Sequence, residues 1–346
     1  MLNVDLTAAG EDIVVSELIF ARAGVGSTSD FESVYLYDGD DRLTTGRTIS
    51  SSTNTVTFSA LSLTVEAGET VTLTVVADIA ASGTASAANT NSIELLSADY
   101  ATHNGTATEG DFPIEGEEYT ISGSSAGTIT IAKYGTLTNP TVGEQGAEVA
   151  KFQLTAGSSE DIWVNRIALR LRGSVSASLV TNFVLTNNST EIATVAELNS
   201  SDLMVFALET PLELERGDNA IFTVTADVGA ADADDTILVD LDENNDLVAI
   251  GEVYGYGASV TSDEYNGGDG SSTSSCTGWD DASCSAVEGG QVTVVFNGPT
   301  AMDIAVNDDD VTVFEFAMTA GTDVEVRKLS FTLTATTTNA GLITTT

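Results

Sequence analysis

Apolar and polar residues alternate at period two along most of this chain, so it reads as a succession of short β-strands, half-buried and separated by turn formers. Asp12 to Arg22, Ser33 to Tyr37, Thr55 to Phe58, Leu61 to Val65 and Val71 to Val76 carry the alternation early in the chain. Farther along it returns in Ile162 to Arg172, Phe183 to Thr186, Ile192 to Val195, Leu203 to Leu208, Leu212 to Leu214 and Ala220 to Thr225. Asp38-Gly39-Asp40-Asp41 reads as a hairpin turn, with Gly39 supplying the positive φ that tight hairpins demand. Helical periodicity is nearly absent. Many short strands punctuated by turns predict an all-β protein built of antiparallel sandwiches.

The alternation is also repeated. Leu63 to Ile79 aligns without a gap on Leu212 to Val228, keeping Glu66 with Glu215, Gly68 with Gly217 and Ala77-Asp78 with Ala226-Asp227. A second phrase occurs three times, as Leu6-Thr7-Ala8-Ala9-Gly10, Leu154-Thr155-Ala156-Gly157 and Met318-Thr319-Ala320-Gly321, each time followed by an acidic strand start. Together they divide the chain into a first module over 1–122, a second over 127–265, a Gly/Ser-rich loop or linker over 266–289, and the opening part of a third module over 290–346. In this register the first module lacks the strands that open the second, and the third lacks its closing ones. Either the chain is an excerpt of a longer array, or a neighbouring subunit supplies strands to exposed sheet edges.

An LTAG-type turn, an L-x-V-x-x-G-E strand pair and a terminal T-V-x-A-D strand, set in tandem, resemble the Ig-like β-sandwich repeats of prokaryotic surface-layer proteins and large adhesins. The resemblance implies an extracellular structural or adhesive role, often supported by calcium. It further implies copies of the chain assembled in a filament or lattice, or a stalk that meets surface glycans or proteins. The sequence carries no recognisable anchoring domain or sorting motif.

Charge narrows the choice of partners. The chain of 346 residues has 52 acidic residues against 11 basic ones, a net charge of -41. Nucleic acid is excluded as a partner, because phosphate binding needs cationic patches. Self-repulsion on this scale calls for salt or divalent cations. No apolar run approaches the length of a transmembrane segment.

Enzymatic chemistry is poorly supplied. His103 is the single histidine and stands in a loop-like stretch, so it reads as a solvated turn residue, and a Ser-His-Asp triad would have to use it. No cysteine has a base close in sequence. The chain therefore reads as a non-enzymatic protein, with a carbohydrate-binding or carbohydrate-active module as a minor alternative.

Calcium is the better chemical candidate, since hard cations seek several oxygen ligands on loops. Asp240, Asp242, Asn244 and Asp246 place four oxygen side chains at alternate positions, like the start of a calcium loop, although Asp240 and Asp242 also suit the outward face of a strand from Ile237. Asp308, Asp309 and Asp310 form a second acidic run, which equally suits a solvated turn. The acids that recur by module, Asp12, Asp161 and Asp323 at strand starts and Asp78 and Asp227 at strand ends, read as side-chain caps of turns or as an ion site between modules. Cys276 and Cys284, with seven turn-forming residues between them, read as a local disulfide and hence as an oxidising compartment. Trp279 lies on the same loop and is the candidate ligand contact of an adhesive reading.

Overall fold

The computed structural model describes residues 1–81, 84–266, 276, 281–289, 292–320, 326 and 328–332, with the backbone only of 263 and 264. The protein is all-β. Two β-sandwiches occupy one compact unit, Met1–Gly289, and a hairpin lies in a second unit, Gly290–Thr346.

The first sandwich contains β1 (Leu2–Thr7), β2 (Ile13–Ala23), β3 (Phe31–Asp38), β4 (Asp41–Arg42), β5 (Thr55–Val65), β6 (Thr70–Ile79), β7 (Thr90–Leu95), β8 (Ala101–His103), β9 (Ile114–Glu115) and β10 (Tyr119–Thr120). One sheet runs β1-β6-β3-β4; the other runs β10-β7-β2-β5, with β8 on β2 and β9 on β7. Leu18, Phe20, Leu36, Phe58, Leu73 and Ile93 fill the space between them and are sealed from solvent.

The second sandwich contains β11 (Thr128–Lys133), β12 (Ala147–Ala156), β13 (Ile162–Gly173), β14 (Val180–Asn187), β15 (Thr190–Val195), β16 (Leu203–Leu214), β17 (Asn219–Val228), β18 (Thr236–Asp240), β19 (Leu247–Gly251), β20 (Ser259–Glu264) and β21 (Ser283–Ala286). Its sheets run β15-β14-β17-β12-β11-β20 and β16-β13-β18-β21, with β19 on β13. Among the described strands only β11 and β20 pair in parallel; the other ladders are antiparallel. Phe152 stacks on Phe222 at 5.2 Å within a core that also takes Ile131, Leu169, Phe183 and Phe206. The hairpin of the second unit is β22 (Val292–Gly298) with β23 (Glu315–Ala320).

Elements correspond from one sandwich to the next. The long strands β2 and β13 each carry a bulge at the same place, between Val15 and Glu17 and between Val164 and Arg166. A bulge shifts the alternation by one residue. In β13 the inward set is therefore Ile162 and Val164 before the bulge and Ile167, Leu169 and Leu171 after it. This leaves Arg166, Arg170 and Arg172 on the outer face. Gly24 and Gly173, one module apart, both have positive φ, +96° and +107°. A Cβ at either would run into a neighbouring carbonyl, of Thr90 or Thr236.

The expectation of a loop or linker over 266–289 is corrected at its end. Ser283–Ala286 is β21, paired with β18, and Ser283, Ser285 and Val287 point into protein at period two. Ser283 and Ser285 at the inward positions hid the strand, since serine does not register as apolar. Asp240 ends β18 on its outer face, opposite Arg170, but that face is covered and Asp240 is buried.

Candidate functional site: a charged joint between the sandwiches

The two sandwiches meet along the outer face of β13 and β18 and the hairpin β3–β4, and the contact is built from charge. β13 supplies Arg166, Arg170 and Arg172. β18 ends at Asp240, and a 3-10 turn follows over Asn244–Asp246, whose N-cap residue Glu243 donates its backbone N–H to the Asp246 carboxylate at 3.1 Å. From the first sandwich, β4 projects Arg42 into this turn.

Arg42 is 4% exposed. Its Nε and Nη2 donate to the two oxygens of Asp246 at 2.8 and 3.0 Å, a bidentate pair. Its Nη2 also reaches Asp242 at 2.5 Å, and its Nη1 donates to the Thr44 carbonyl. Asp242 is the hub. It accepts from Arg42, from Arg170 at 3.2 Å and from Arg172 at 2.5 Å, while Arg172 Nε donates to Asp240 at 3.1 Å.

A second set of contacts surrounds this cluster. Arg166 lies over the Tyr37 ring at 4.8 Å and donates to the Tyr37 hydroxyl, the Asp40 carbonyl and the Asn245 carbonyl. Tyr37 donates in turn to the Asn245 side chain at 2.8 Å. Asn245 Nδ2 donates to Asp78, which also accepts from Tyr35. At the rim, Gly46 N donates to Glu243 and Asn199 Nδ2 to Asp41.

Electrostatics follow from burial and pairing. Burial raises the Asp242 carboxyl, but contact with Arg42 and the charges of Arg170 and Arg172 outweigh it and hold the group below its ordinary value. Burial pushes Asp246 up, against the pull of Arg42, while the same contact keeps the Arg42 guanidinium firmly charged. The bidentate geometry and the Glu243 N–H favour the ionised pair. Burial likewise raises Asp78 and Glu243. Tyr37 is pushed up to about 12 by burial, with Arg166 opposing.

The expected calcium residues divide. Asp240, Asp242 and Asp246 converge, but the oxygens described above accept from arginine N–H groups, and Asn244 stands apart, accepting from the Ser262 hydroxyl at 2.6 Å. Asp308, Asp309 and Asp310 are exposed, in the other unit. Among the described residues no group of three or more His, Cys, Asp or Glu side chains is arranged to hold a metal ion. The arginines that answer Asp242 lie on other strands, Arg170 and Arg172 on β13 of the same sandwich and Arg42 on β4 of the first, so spacing within the acidic run gave no sign of them.

The recurring acids behave differently by position. Asp12 and Asp161 make the same bond in the two sandwiches, accepting from the backbone N–H of Ala67 at 2.9 Å and of Arg216 at 2.8 Å. Each ties the start of one strand to the turn between two others. Asp78 and Asp227 diverge. Asp227 accepts from Gly146 N and Asn182 within its own sandwich, whereas Asp78 reaches across the joint to Asn245. Asp323 and Trp279 lie outside the described residues. Cys276 and Cys284 form a disulfide, with Cα atoms 5.5 Å apart. His103 accepts at Nδ1 from Gly105 N and meets the Thr108 hydroxyl through Nε2.

No family profile and no curated protein matches the chain. Among solved structures it is similar to a putative membrane anchored protein from Corynebacterium diphtheriae, at 10% identity and a TM-score of 0.22, over 83% of this chain and 58% of the other. It is also similar to an anti-sigma factor domain-containing protein, at 10% identity and a TM-score of 0.17, over 76% and 82%. Similarity at this level carries no argument about function. Among the described residues no helix is long and apolar enough to cross a membrane.

Proposed function

We propose that this chain is part of an extracellular structural protein, a surface-layer or filament-forming array of Ig-like modules, in which the charged joint holds successive sandwiches at one fixed angle. The joint carries the reading. Four of the chain's 11 basic residues, Arg42, Arg166, Arg170 and Arg172, are gathered in this one contact. A flexible tether would not use directional, bidentate bonds or bury them; a rigid spacer would. The disulfide favours an oxidising compartment. Lateral contacts are assigned to sheet edges: β1 lies at the edge of its sheet among the described residues, with backbone groups available to a strand from another copy.

Small-angle scattering of the full chain tests the rigidity. The wild type should fit a single arrangement of the two sandwiches, and Arg42→Ala should need an ensemble. Electron micrographs of concentrated protein test the assembly, and regular subunit spacing is expected. Scattering that already needs an ensemble in the wild type, or micrographs showing only dispersed particles over a wide range of salt and calcium, would sink the reading.

A further inference from the structure

Four Asn-x-Ser/Thr sequences occur in the two sandwiches, at Asn104, Asn187, Asn188 and Asn199, and the fold separates them. Asn199 is committed to the joint: its Nδ2 donates to Asp41 and its Oδ1 accepts from the N–H groups of Ser201 and Leu203. Asn104 holds the Val14 N–H through Oδ1 at 2.8 Å. Asn187 ends β14 with its side-chain oxygen buried. Asn188 alone of the four sits at the tip of a two-residue hairpin turn, between Asn187 and Thr190, with φ of +47° followed by +69° at Ser189. Asn188, Ser189 and Thr190 are all exposed. A protruding turn lets a modifying enzyme reach both the amide and the hydroxyl two residues on.

We infer that Asn188 is a glycan acceptor in the folded protein. In the transfer, Asn188 Nδ2 forms a bond to the anomeric carbon of a sugar carried on a polyprenyl phosphate or pyrophosphate. The bond from that carbon to the phosphate oxygen breaks, the lipid phosphate leaves, and the amide gives up one proton.

The position has a structural consequence. The β14–β15 turn is the counterpart of the β3–β4 turn: Thr186 pairs with Glu191 as Tyr37 pairs with Arg42, and Asn187 with Thr190 as Asp38 with Asp41. Where the first sandwich presents Tyr37 and Arg42 to the joint, the second presents Thr186, Glu191 and the Asn188 sequence. A glycan on Asn188 would cover the surface that in the first sandwich is closed by protein. This inference does not rest on the array reading, since it concerns one turn of one sandwich.

The test is in vitro transfer to the folded full chain by a single-subunit oligosaccharyltransferase with a lipid-linked oligosaccharide, read by intact mass and peptide mapping. A short unstructured peptide bearing Asn-Ser-Thr in the same tube reports that the enzyme is active. One glycan on Asn188 is expected. Asn188→Gly, which suits the left-handed turn, and Thr190→Ala should each abolish it; Ser189→Gly should leave it, because Asn188 keeps Thr190 while the Asn187 sequence is lost. A modified peptide beside an unmodified protein, or a glycan on Asn104, Asn187 or Asn199 with Asn188 bare, would overturn the inference.

Discussion

Replacing Arg42 by Ala removes every bond that this side chain carries across the joint while leaving the hydrophobic cores of both sandwiches untouched. Asp242 keeps Arg170 and Arg172. Among the described residues Asp246 then keeps only the Glu243 N–H and remains fully buried, so it carries most of the loss. Removing one partner of a buried ion pair costs about 3–5 kcal/mol, mainly because the remaining charge is stranded. Unfolding entropy of about 2.1 cal/mol/K per residue over the 289 residues of the first unit gives about 0.6 kcal/mol/K. If that unit melts as one, Tm should fall by about 5–8 °C in calorimetry. If the joint opens first, the single transition should instead split into two. Arg42→Ala with Asp246→Ala should lose less than the two single changes added together, because neither charge is then stranded. Arg42→Lys should recover only part of the loss, since an ammonium cannot make the bidentate contact. A change within about 0.5 kcal/mol of wild type, the usual range for surface sites, together with additivity in the double variant, would refute the claim that the joint is a buried charged contact.

Asp30, sealed in the first sandwich, accepts from Ser27 N, Ser86 N, Asn89 and Asn91; Asp30→Ala should cost roughly 2–4 kcal/mol in urea unfolding, by leaving those donors unpaired. The pH dependence has two signs. Asp78, Glu243 and Asp246 have raised values in the fold, so their contribution is greatest in acid and declines as pH rises above the unfolded value of about 4. Asp30 and Asp242 have lowered values, against the burial that opposes them, so their contribution is present above about pH 4 and is lost as pH falls through the folded value. Tm should therefore peak in mild acid and drop steeply below about pH 4; a flat profile from pH 7 to pH 3 would count against the assignment. Reducing the Cys276–Cys284 bridge, which spans eight positions, should lower stability by at most about 3 kcal/mol, as its short loop implies, and leave the circular dichroism of the folded chain in place. A chelator should leave the joint intact, with the Arg42→Ala shift in Tm equal with and without it, because arginines already neutralise Asp242 and Asp246.

The strands were legible because alternation reports one buried face, and the repeat fixed their correspondence. Legibility ended where alternation broke. At the β13 bulge the phase slips by one residue, so the run from Ile162 to Arg172 shows where the strand is but not which side its arginines take. β21 was missed because Ser283 and Ser285, its inward positions, are small and polar. The joint was least visible. Its acids stood out as Asp240, Asp242 and Asp246, and an acidic run by itself suggests a cation. That the cations are guanidinium groups, brought from β4 and β13, depends on pairings some 70 and 200 residues apart in sequence.

The acidity of the chain explains why such a joint needs arginine. Two sandwiches with surplus negative charge repel each other at every surface where they approach, so a contact between them must import positive charge or exclude it altogether. An apolar contact would avoid the repulsion but would bind any similar face, including those of other copies. A buried contact of Arg42, Arg170 and Arg172 with Asp240, Asp242 and Asp246 matches three cations to three anions. It also rejects faces that cannot complete the set, because an unpaired buried charge costs several kcal/mol. The counterpart hairpin of the second sandwich cannot complete it, since Glu191 stands where Arg42 would be needed. Specificity of assembly then resides in very few residues. Combining Arg42→Asp with Asp246→Arg keeps the pair while reversing its direction, yet it should not restore the joint. Asp242 would lose its contact from β4 and meet a carboxylate there instead, with only Arg170 and Arg172 left of the three arginines that answer it. The exchanged variant should therefore melt no higher than Arg42→Ala in calorimetry; a Tm equal to wild type would show that the pair acts in isolation and that Asp242 is not the hub.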